Sequence, residues 1–367
     1  MKKLLLFLSL LYDCKLSAQT QIQVLVNSRN TSSVQKYDIN GNYLGDFIAG
    51  NSGGLREPQD ILFHPDGSVL VTGVNNSTIK RYDGITGAFL GNFSTGYILS
   101  LPTKMCYGPD SLIYVTQWGA DSDKVVRFNL QGAFVDEFTS KAIPKGLSMV
   151  WDKNKNLYVA AYSNGANGTV HKFDSLGNDL GVFINSAILQ GPTNIWFDNT
   201  GDMLVADWTL GKVHRYDSAG NYKSNFITGL TNPEGIDFLP DGRMLISDWG
   251  TDNVHLVNTN GIIAGVFCSG NGLNDPNCVR IREVSTTGVA KLHRIDMSVV
   301  PTIGTQFHIS IPGNKKLVNI ILTNAMGQMI KTISTTSQTI LDAQGLPDGM
   351  YYLNAEGTVT KIVVSKR

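Results

Sequence analysis

An all-β chain, a six-bladed β-propeller followed by a small C-terminal β-sandwich, is the fold class the sequence predicts. Three observations predict it. A four-part unit recurs every 41 to 46 residues, Gly, Asp and Asn punctuate short apolar runs, and charged residues are only 16% of the chain while aromatics hold at 9%. With 38 glycines in 367 residues, Gly stands near 10% against a usual ~7%, which favours a turn-rich β protein over a disordered one. The 30 basic and 30 acidic residues cancel, so no long-range field gathers nucleic acid or an anionic membrane. No apolar run reaches the ~18 residues of a membrane-spanning helix, and no transmembrane segment is expected.

The first element is an address. Lys2-Lys3 precedes an apolar stretch from Leu4 to Tyr12, and Leu16-Ser17-Ala18 offers small residues to a peptidase, the order of a secretory signal peptide. Residues 1–18 are expected to be removed after Ala18. Cys14 follows Leu11-Tyr12-Asp13, whose bulk and charge do not suit a lipid-anchoring site. Cys106, Cys268 and Cys278 then remain in an exported chain. The Gly/Asn-rich loop Ser269 to Asn277 is short enough for one bridge between Cys268 and Cys278, leaving Cys106 as a buried thiol. Three reduced, buried cysteines are the alternative.

The second element, residues 19–282, is the propeller. Its repeat aligns on a β-branched residue, an aromatic three positions on, a Gly-bearing turn and a closing Phe. The third-position markers are Tyr37, Tyr82, Phe128, Phe173, Tyr216 and Val257, and the closing residues are Phe47, Phe93, Phe138, Phe183, Phe226 and Phe267. Ahead of most copies stands a second block, as in Pro58-Gln59-Asp60-Ile61, the turn His64-Pro65-Asp66-Gly67 and Val69-Leu70-Val71. Each unit therefore reads as four short strands, and a ~40–50-residue period of four strands is that of a propeller blade. The unit from Gln21 to Phe47 lacks an inner strand, while Pro276 to Ile281 offers a spare one. One blade is thus expected to be built from both ends of the domain.

Residues 283–367 form the third element. The repeat stops at Glu283, and runs such as Phe307 to Ile311, Val318 to Thr323, Met350 to Asn354 and Lys361 to Val364 alternate as short strands of a small sandwich.

The sequence carries no His-Glu-x-x-His, no phosphate-binding Gly-rich loop with Lys and no nucleophile-elbow Ser. His171, His214 and His255 recur at one blade position, where a solvated strand face is expected because equivalent positions lie far apart around a ring. Propeller geometry instead directs attention to the face where inner strands begin and second strands end. The inner-strand entries are Asp60, Lys104, Gly146, Asn194 and Gly235, preceded by Gln59, Thr103, Lys145, Thr193 and Glu234. The second-strand loops present Arg29, Val74, Trp118, Tyr162, Trp208 and Trp249. A ring holding Trp118, Tyr162, Trp208 and Trp249 suits a sugar, peptide or small apolar ligand. Equally, each Trp can fill the gap between blades, with Asp207 and Asp248 capping the loops.

The blocks resemble the NHL repeat, in Pro233-Glu234-Gly235-Ile236, Asp241-Gly242, Leu245 to Asp248 and Asp252-Asn253-Val254. That resemblance implies a propeller serving as a protein- or RNA-binding surface or, in relatives, as an enzyme; the cancelled charge sets RNA aside. A related resemblance, to the senescence-marker-protein and gluconolactonase propellers, implies one calcium or zinc ion in the channel of a lactonase or esterase. Asp60, Asn194 and Glu234 stand at suitable places for that metal, while Lys104 and two glycines occupy others. The C-terminal segment resembles the sorting domain of type IX secretion cargo in Val318 to Asn324, Gly327-Gln328, Leu346 to Leu353 and Lys361 to Val364, departing from it at Val300-Pro301-Thr302. This implies contact with the type IX machinery and delivery, through the periplasm of a Gram-negative bacterium, to the outer surface or the medium. The expected function is capture of a protein, peptide or glycan there, and the metal-dependent hydrolase is the alternative.

Overall fold

The computed structural model describes residues 19–119, 123–163, 167–286, 295–314, 316–325, 328–355 and 358–366. The expected signal peptide, residues 1–18, lies outside the described residues, as do Met326 and Gly327 of the C-terminal motif. Compact units cover Ile22–Val284 and Ser285–Arg367.

In the first unit the described residues form six four-stranded antiparallel sheets, each a blade. Blade 2 shows the pattern, its strands Pro58–Phe63, Val69–Gly73, Lys80–Tyr82 and Phe89–Asn92 pairing in chain order. The inner strands of blades 3 to 6 are Pro102–Tyr107, Gly146–Trp151, Pro192–Phe197 and Pro233–Phe238. Blade 1 takes its inner strand, Pro276–Thr286, from the far end of the unit and pairs it with Gln19–Ser28, as the spare strand predicts. Such a latch removes the open edge that a row of blades otherwise presents.

Successive strand residues face opposite sides, so each blade feeds two seams of core. Leu25 and Val34 of blade 1 pack with Ile61, Val71 and Tyr82 of blade 2, whereas Val24, Val26 and Tyr37 pack with Leu245 and Val254 of blade 6. The marker residues Tyr37, Tyr82, Phe128, Phe173, Tyr216 and Val257 are all fully buried. The turn glycines close the ring a second time. Gly41, Gly87, Gly132, Gly177, Gly220 and Gly261 have φ between +70° and +84°. A Cβ at any of them would lie 1.7 to 2.2 Å from the carbonyl oxygen of the preceding blade's closing Phe. For Gly41 that residue is Phe267 of blade 6, so the contact runs through the latch.

The expected Cys268–Cys278 bridge is corrected here: all three described cysteines are free. Loop length alone was a poor guide, because Cys268 stands on the outermost strand of blade 6 and Cys278 on the innermost strand of blade 1. Each thiol is buried, with its pKa pushed up to about 12 by that burial.

In the second unit the strands Ser298–Val300, Gln306–Ser310 and Gln338–Asp342 form one sheet. Ile303–Gly304, Thr358–Val364, Gly349–Ala355, Val318–Asn324 and Met329–Thr335 form the other. Phe307, Ile309, Ile320, Leu322, Leu341, Leu353 and Ile362 make their common core.

Candidate functional site

The inner strands of blades 2 to 6 begin with the same irregularity. The register with the second strand slips just after Pro58, Pro102, Gly146, Pro192 and Pro233. A bulge re-aims the side chain it carries, and the residues that follow these starts, Gln59, Thr103, Leu147, Thr193 and Glu234, all line one cavity of about 330 Å³. Blade 4 corrects the sequence alignment. Gly146 pairs with Ala161 as Pro58 does with Gly73, so Leu147 and Ser148, not Lys145 and Gly146, correspond to Gln59 and Asp60. Pro144 resembles the Pro that opens other inner strands, but it lies in the turn ahead of the strand.

The cavity's rim comes from the loops after the second strands. In each blade the rim residue's backbone N–H donates to the carbonyl just before the inner strand: Val74 to Glu57 (3.0 Å), Trp118 to Leu101 (2.9 Å), Tyr162 to Lys145 (3.2 Å), Trp208 to Gly191 (2.8 Å), Trp249 to Asn232 (3.0 Å) and Arg29 to Asp275 (3.4 Å). This clamp sets the four aromatic rings in one arc. Ring centroids are 5.0 Å apart from Trp118 to Tyr162, 6.3 Å from Tyr162 to Trp208 and 5.8 Å from Trp208 to Trp249, with interplanar angles of 45°, 73° and 75°. All four are half-buried and line the cavity. A cation closes each end, with Arg29 Cζ 4.8 Å from the Trp249 centroid and Lys145 Nζ 6.0 Å from that of Trp118. Arg29 also pairs with Glu57.

The rings thus pack on one another across blade boundaries, as the gap-filling reading expects, and also line the cavity. Asp207 and Asp248 cap the loops as expected. Asp207 accepts from the N–H of Gln190 (2.8 Å), Gly191 (3.0 Å) and Leu210 (3.0 Å), and Asp248 from Thr231 (2.8 Å) and Asn232 (2.7 Å).

Two histidines belong to these caps, which corrects the expected solvated face. His214 is 1% exposed, with Nε2 3.4 Å from Asp207 Oδ2, and His255 Nε2 lies 3.3 Å from Asp248 Oδ2. The third strand is not an edge, so its side chains turn into the seams. His171 is half-buried beside Thr169.

Beneath the rim lies a buried ionic floor. Lys104, 4% exposed, donates to the carbonyls of Gln59 and Asn277 (2.9 Å each) and lies 3.1 Å from Glu234 Oε1. Gln59 Nε2 also donates to that oxygen. Asp60, fully buried, accepts from Arg280 Nη2 (2.8 Å), the Met105 N–H (2.7 Å) and the Cys278 thiol (3.2 Å). Burial opposes the Lys104 charge, but Glu234, with Cys278 and Asp60, outweighs it and holds the ammonium above its ordinary pKa. Burial lifts Glu234 above the carboxylate range, with Lys104 pulling the other way. Asn194 of blade 5 ties it to both neighbours, its Nδ2 donating to the Glu234 carbonyl of blade 6 (3.0 Å) and its Oδ1 accepting from Ser148 of blade 4 (3.0 Å).

Asp60, Asn194 and Glu234 therefore sit in the channel but do not fit a divalent cation. Calcium takes six to eight oxygen ligands, waters included, and zinc four, and either needs carboxylates free to face it. Here Glu234 already faces an ammonium and Asp60 a guanidinium, and among the described residues no three His, Cys, Asp or Glu side chains converge. The residues that fill the channel with positive charge, Lys104 and Arg280, were not read as a pair in the sequence. Their signal is a cation early in an inner strand, Lys104 between Thr103 and Met105 and Arg280 between Val279 and Ile281.

Comparison with known proteins separates the two units. Residues 301–366 match the family model described as a secretion system C-terminal sorting domain. No curated protein matches the chain by sequence. Among solved structures, a chain in the nidogen/laminin complex aligns with a TM-score of 0.58 at 14% identity, over 71% of this chain and 98% of that one. A protein of unknown function from Bacteroides caccae aligns with a TM-score of 0.54 at 13% identity, over 71% and 98%. These likenesses bear out the propeller fold, and the family match bears out a sorting domain at the C-terminus.

Proposed function

We propose that the chain is an exported binding module: the sorting domain hands it to a type IX secretion system, and the channel mouth captures a protein, peptide or glycan at the cell surface or in the medium. The observation that carries this reading is the aromatic arc. Four large rings, half-buried and fixed by a repeated backbone clamp, surround a cavity large enough for a small ligand group. The floor supports binding over catalysis, because its carboxylates are spent on Lys104 and Arg280 and none is free to act as a base or to hold an ion. Ligand-exposed aromatics on rigid loops above a packed scaffold suit recognition.

The full chain, immobilised and offered surface glycans and peptides, is expected to retain a ligand with or without EDTA. The double variant Trp208→Ala, Trp249→Ala is expected to lose it. Retention that depends on added calcium or zinc, or that survives the double variant, would overturn the reading. For export, removal of residues 346–367 takes out two strands of the larger sheet and is expected to leave the propeller in the periplasm. Cell fractionation checks this, and unchanged release into the medium would refute it.

A further inference from the structure

The geometry points to a narrower occupant of the mouth, resting on the binding reading above: an uncharged terminal sugar of a glycan, one or two pyranose rings, gripped between the aromatic arc and the floor formed by Glu234 and Gln59. Size restricts the choice first. A cavity of about 330 Å³ lies at the small end of the ligand-pocket range, ~300–1,000 Å³, which admits a ring or two and excludes a folded surface.

Charge restricts it next. Each formal charge at the cavity wall except Lys145 has a partner: Arg29 with Glu57, and Glu234 with Lys104. A cationic ligand therefore finds no free counter-charge, and an anionic one finds only Lys145, at the Trp118 end of the arc, which is why a uronate is included in the test. A quaternary ammonium, the usual guest of an aromatic cage, would compete with Arg29 and Lys145, which already hold the outermost rings.

The backbone restricts it further. Peptides bind sheets by adding hydrogen bonds to free main-chain groups. At this rim the N–H groups of Val74, Trp118, Tyr162, Trp208 and Trp249 are all consumed by the clamp, so an extended peptide finds none of these five donors free.

A saccharide suits what is left. Its C–H faces are apolar and pack on tilted rings, and its hydroxyls both donate and accept. Glu234, 2% exposed, lines the cavity while its Oε1 is pinned by Lys104 and Gln59, an acceptor held in place with no rotamer left to lose. The wall itself is incompletely paired. Trp208 Nε1 and Arg29 Nε, from two lining residues, are buried donors with no protein partner, and such groups call for a further acceptor nearby.

The test is calorimetric titration of the full chain with neutral disaccharides ending in glucose, galactose, mannose or N-acetylglucosamine, a uronate-terminated disaccharide and an uncharged tripeptide. A neutral disaccharide is expected to bind saturably, and Trp208→Ala and Trp118→Ala, each with its melting temperature retained, to weaken it by at least about tenfold. Preferential binding of the uronate or the tripeptide, lost in the same variants, would overturn the sugar assignment while leaving the mouth as the binding site. Saccharide binding that both variants keep would overturn the site as well, and absence of binding by every probe would overturn the proposal.

Discussion

Blades 5 and 6 hold their mouth loops differently from blades 2, 3 and 4, although the clamp they support is the same. In blades 5 and 6 a carboxylate at the end of the second strand, Asp207 or Asp248, accepts from both N–H groups ahead of the inner strand. Blade 3 has Gln117 there, which takes only the Ser100 N–H (2.7 Å). In blade 2 Asn76 takes the Arg56 N–H (2.9 Å) from a position three residues further on, and blade 4 has Ala161. Where the carboxylate is missing, the residue before the inner strand is left-handed: Glu57 at φ 46°, Leu101 at 50° and Lys145 at 52°. Gly191 and Asn232 are not among the positive-φ residues. One loop shape is thus reached either by a charged acceptor or by backbone strain, and the strain costs ~1–2 kcal/mol at a residue with a Cβ.

The strongest way to break this contrast is to remove the carboxylate. Asp248→Ala leaves the N–H groups of Thr231 and Asn232 without their acceptor and His255 without its neighbour. At ~1–3 kcal/mol for a buried group left unpaired, the propeller is expected to lose about 3 kcal/mol. Thermal unfolding reads this as a fall of several degrees, at ~2–4 °C per kcal/mol for a domain of this size. Gln117→Ala, which frees the Ser100 N–H and the Lys124 carbonyl but removes no buried charge, is expected to cost less. Equal losses would show that the two kinds of blade are held alike.

Lowering the pH weakens the same feature more gradually. Burial opposes ionisation of Asp207 and Asp248, but the adjacent His214 and His255 and the capped N–H groups outweigh it, so both carboxyls sit below their ordinary pKa. A depressed folded pKa means that the stabilisation is complete above the unfolded value, near 4, and is lost as pH falls through the folded one. Asp248→Asn is therefore expected to be less stable than the parent at pH 7, and the gap in denaturant midpoint is expected to narrow progressively as the pH falls below the ordinary carboxyl value of ~4. A gap that stays constant with pH would assign the cap to hydrogen-bond geometry alone.

How much of this was legible beforehand follows the same division. Repeated features were: the buried markers, the turn glycines and the six rim positions recur every 41 to 46 residues, Asp207-Trp208 and Asp248-Trp249 read as a cap beside its ring, and the latch showed as one unit short of a strand that a later segment supplies. Features that depend on one blade meeting another were not. Cys268 and Cys278 are ten residues apart in sequence yet belong to opposite edges of neighbouring blades, which loop length cannot reveal. Lys104 fell in a list of strand entries, and nothing local showed that Glu234 of blade 6 and the Asn277 carbonyl of blade 1 converge on its ammonium. The slip at Gly146 has a local cause, since Pro144 imitates the residue that opens other inner strands. Distance around the ring rules out a shared ion for the three histidines but not a partner within each blade, and His214 and His255 find theirs in Asp207 and Asp248.

The smallest effect is the sharpest test of strain. If Leu101 is left-handed only because Gln117 supplies a single acceptor, then glycine, which adopts φ 50° without penalty, should relieve it. Leu101 is partly exposed, at 36%, so little packing is lost, although glycine adds freedom to the unfolded chain. The ~1–2 kcal/mol of strain less the ~0.4–1 kcal/mol entropic cost of a glycine leaves ~0–1.6 kcal/mol, which the lost contacts of the Leu101 side chain reduce further, so Leu101→Gly is expected to be close to neutral. The same change at Asn232, which is not left-handed, carries the entropic cost with no strain to release and is expected to destabilise. Paired denaturant melts of the two variants decide it, and a Leu101→Gly variant that loses as much as Asn232→Gly would mean that the left-handed residues of blades 2, 3 and 4 store no strain.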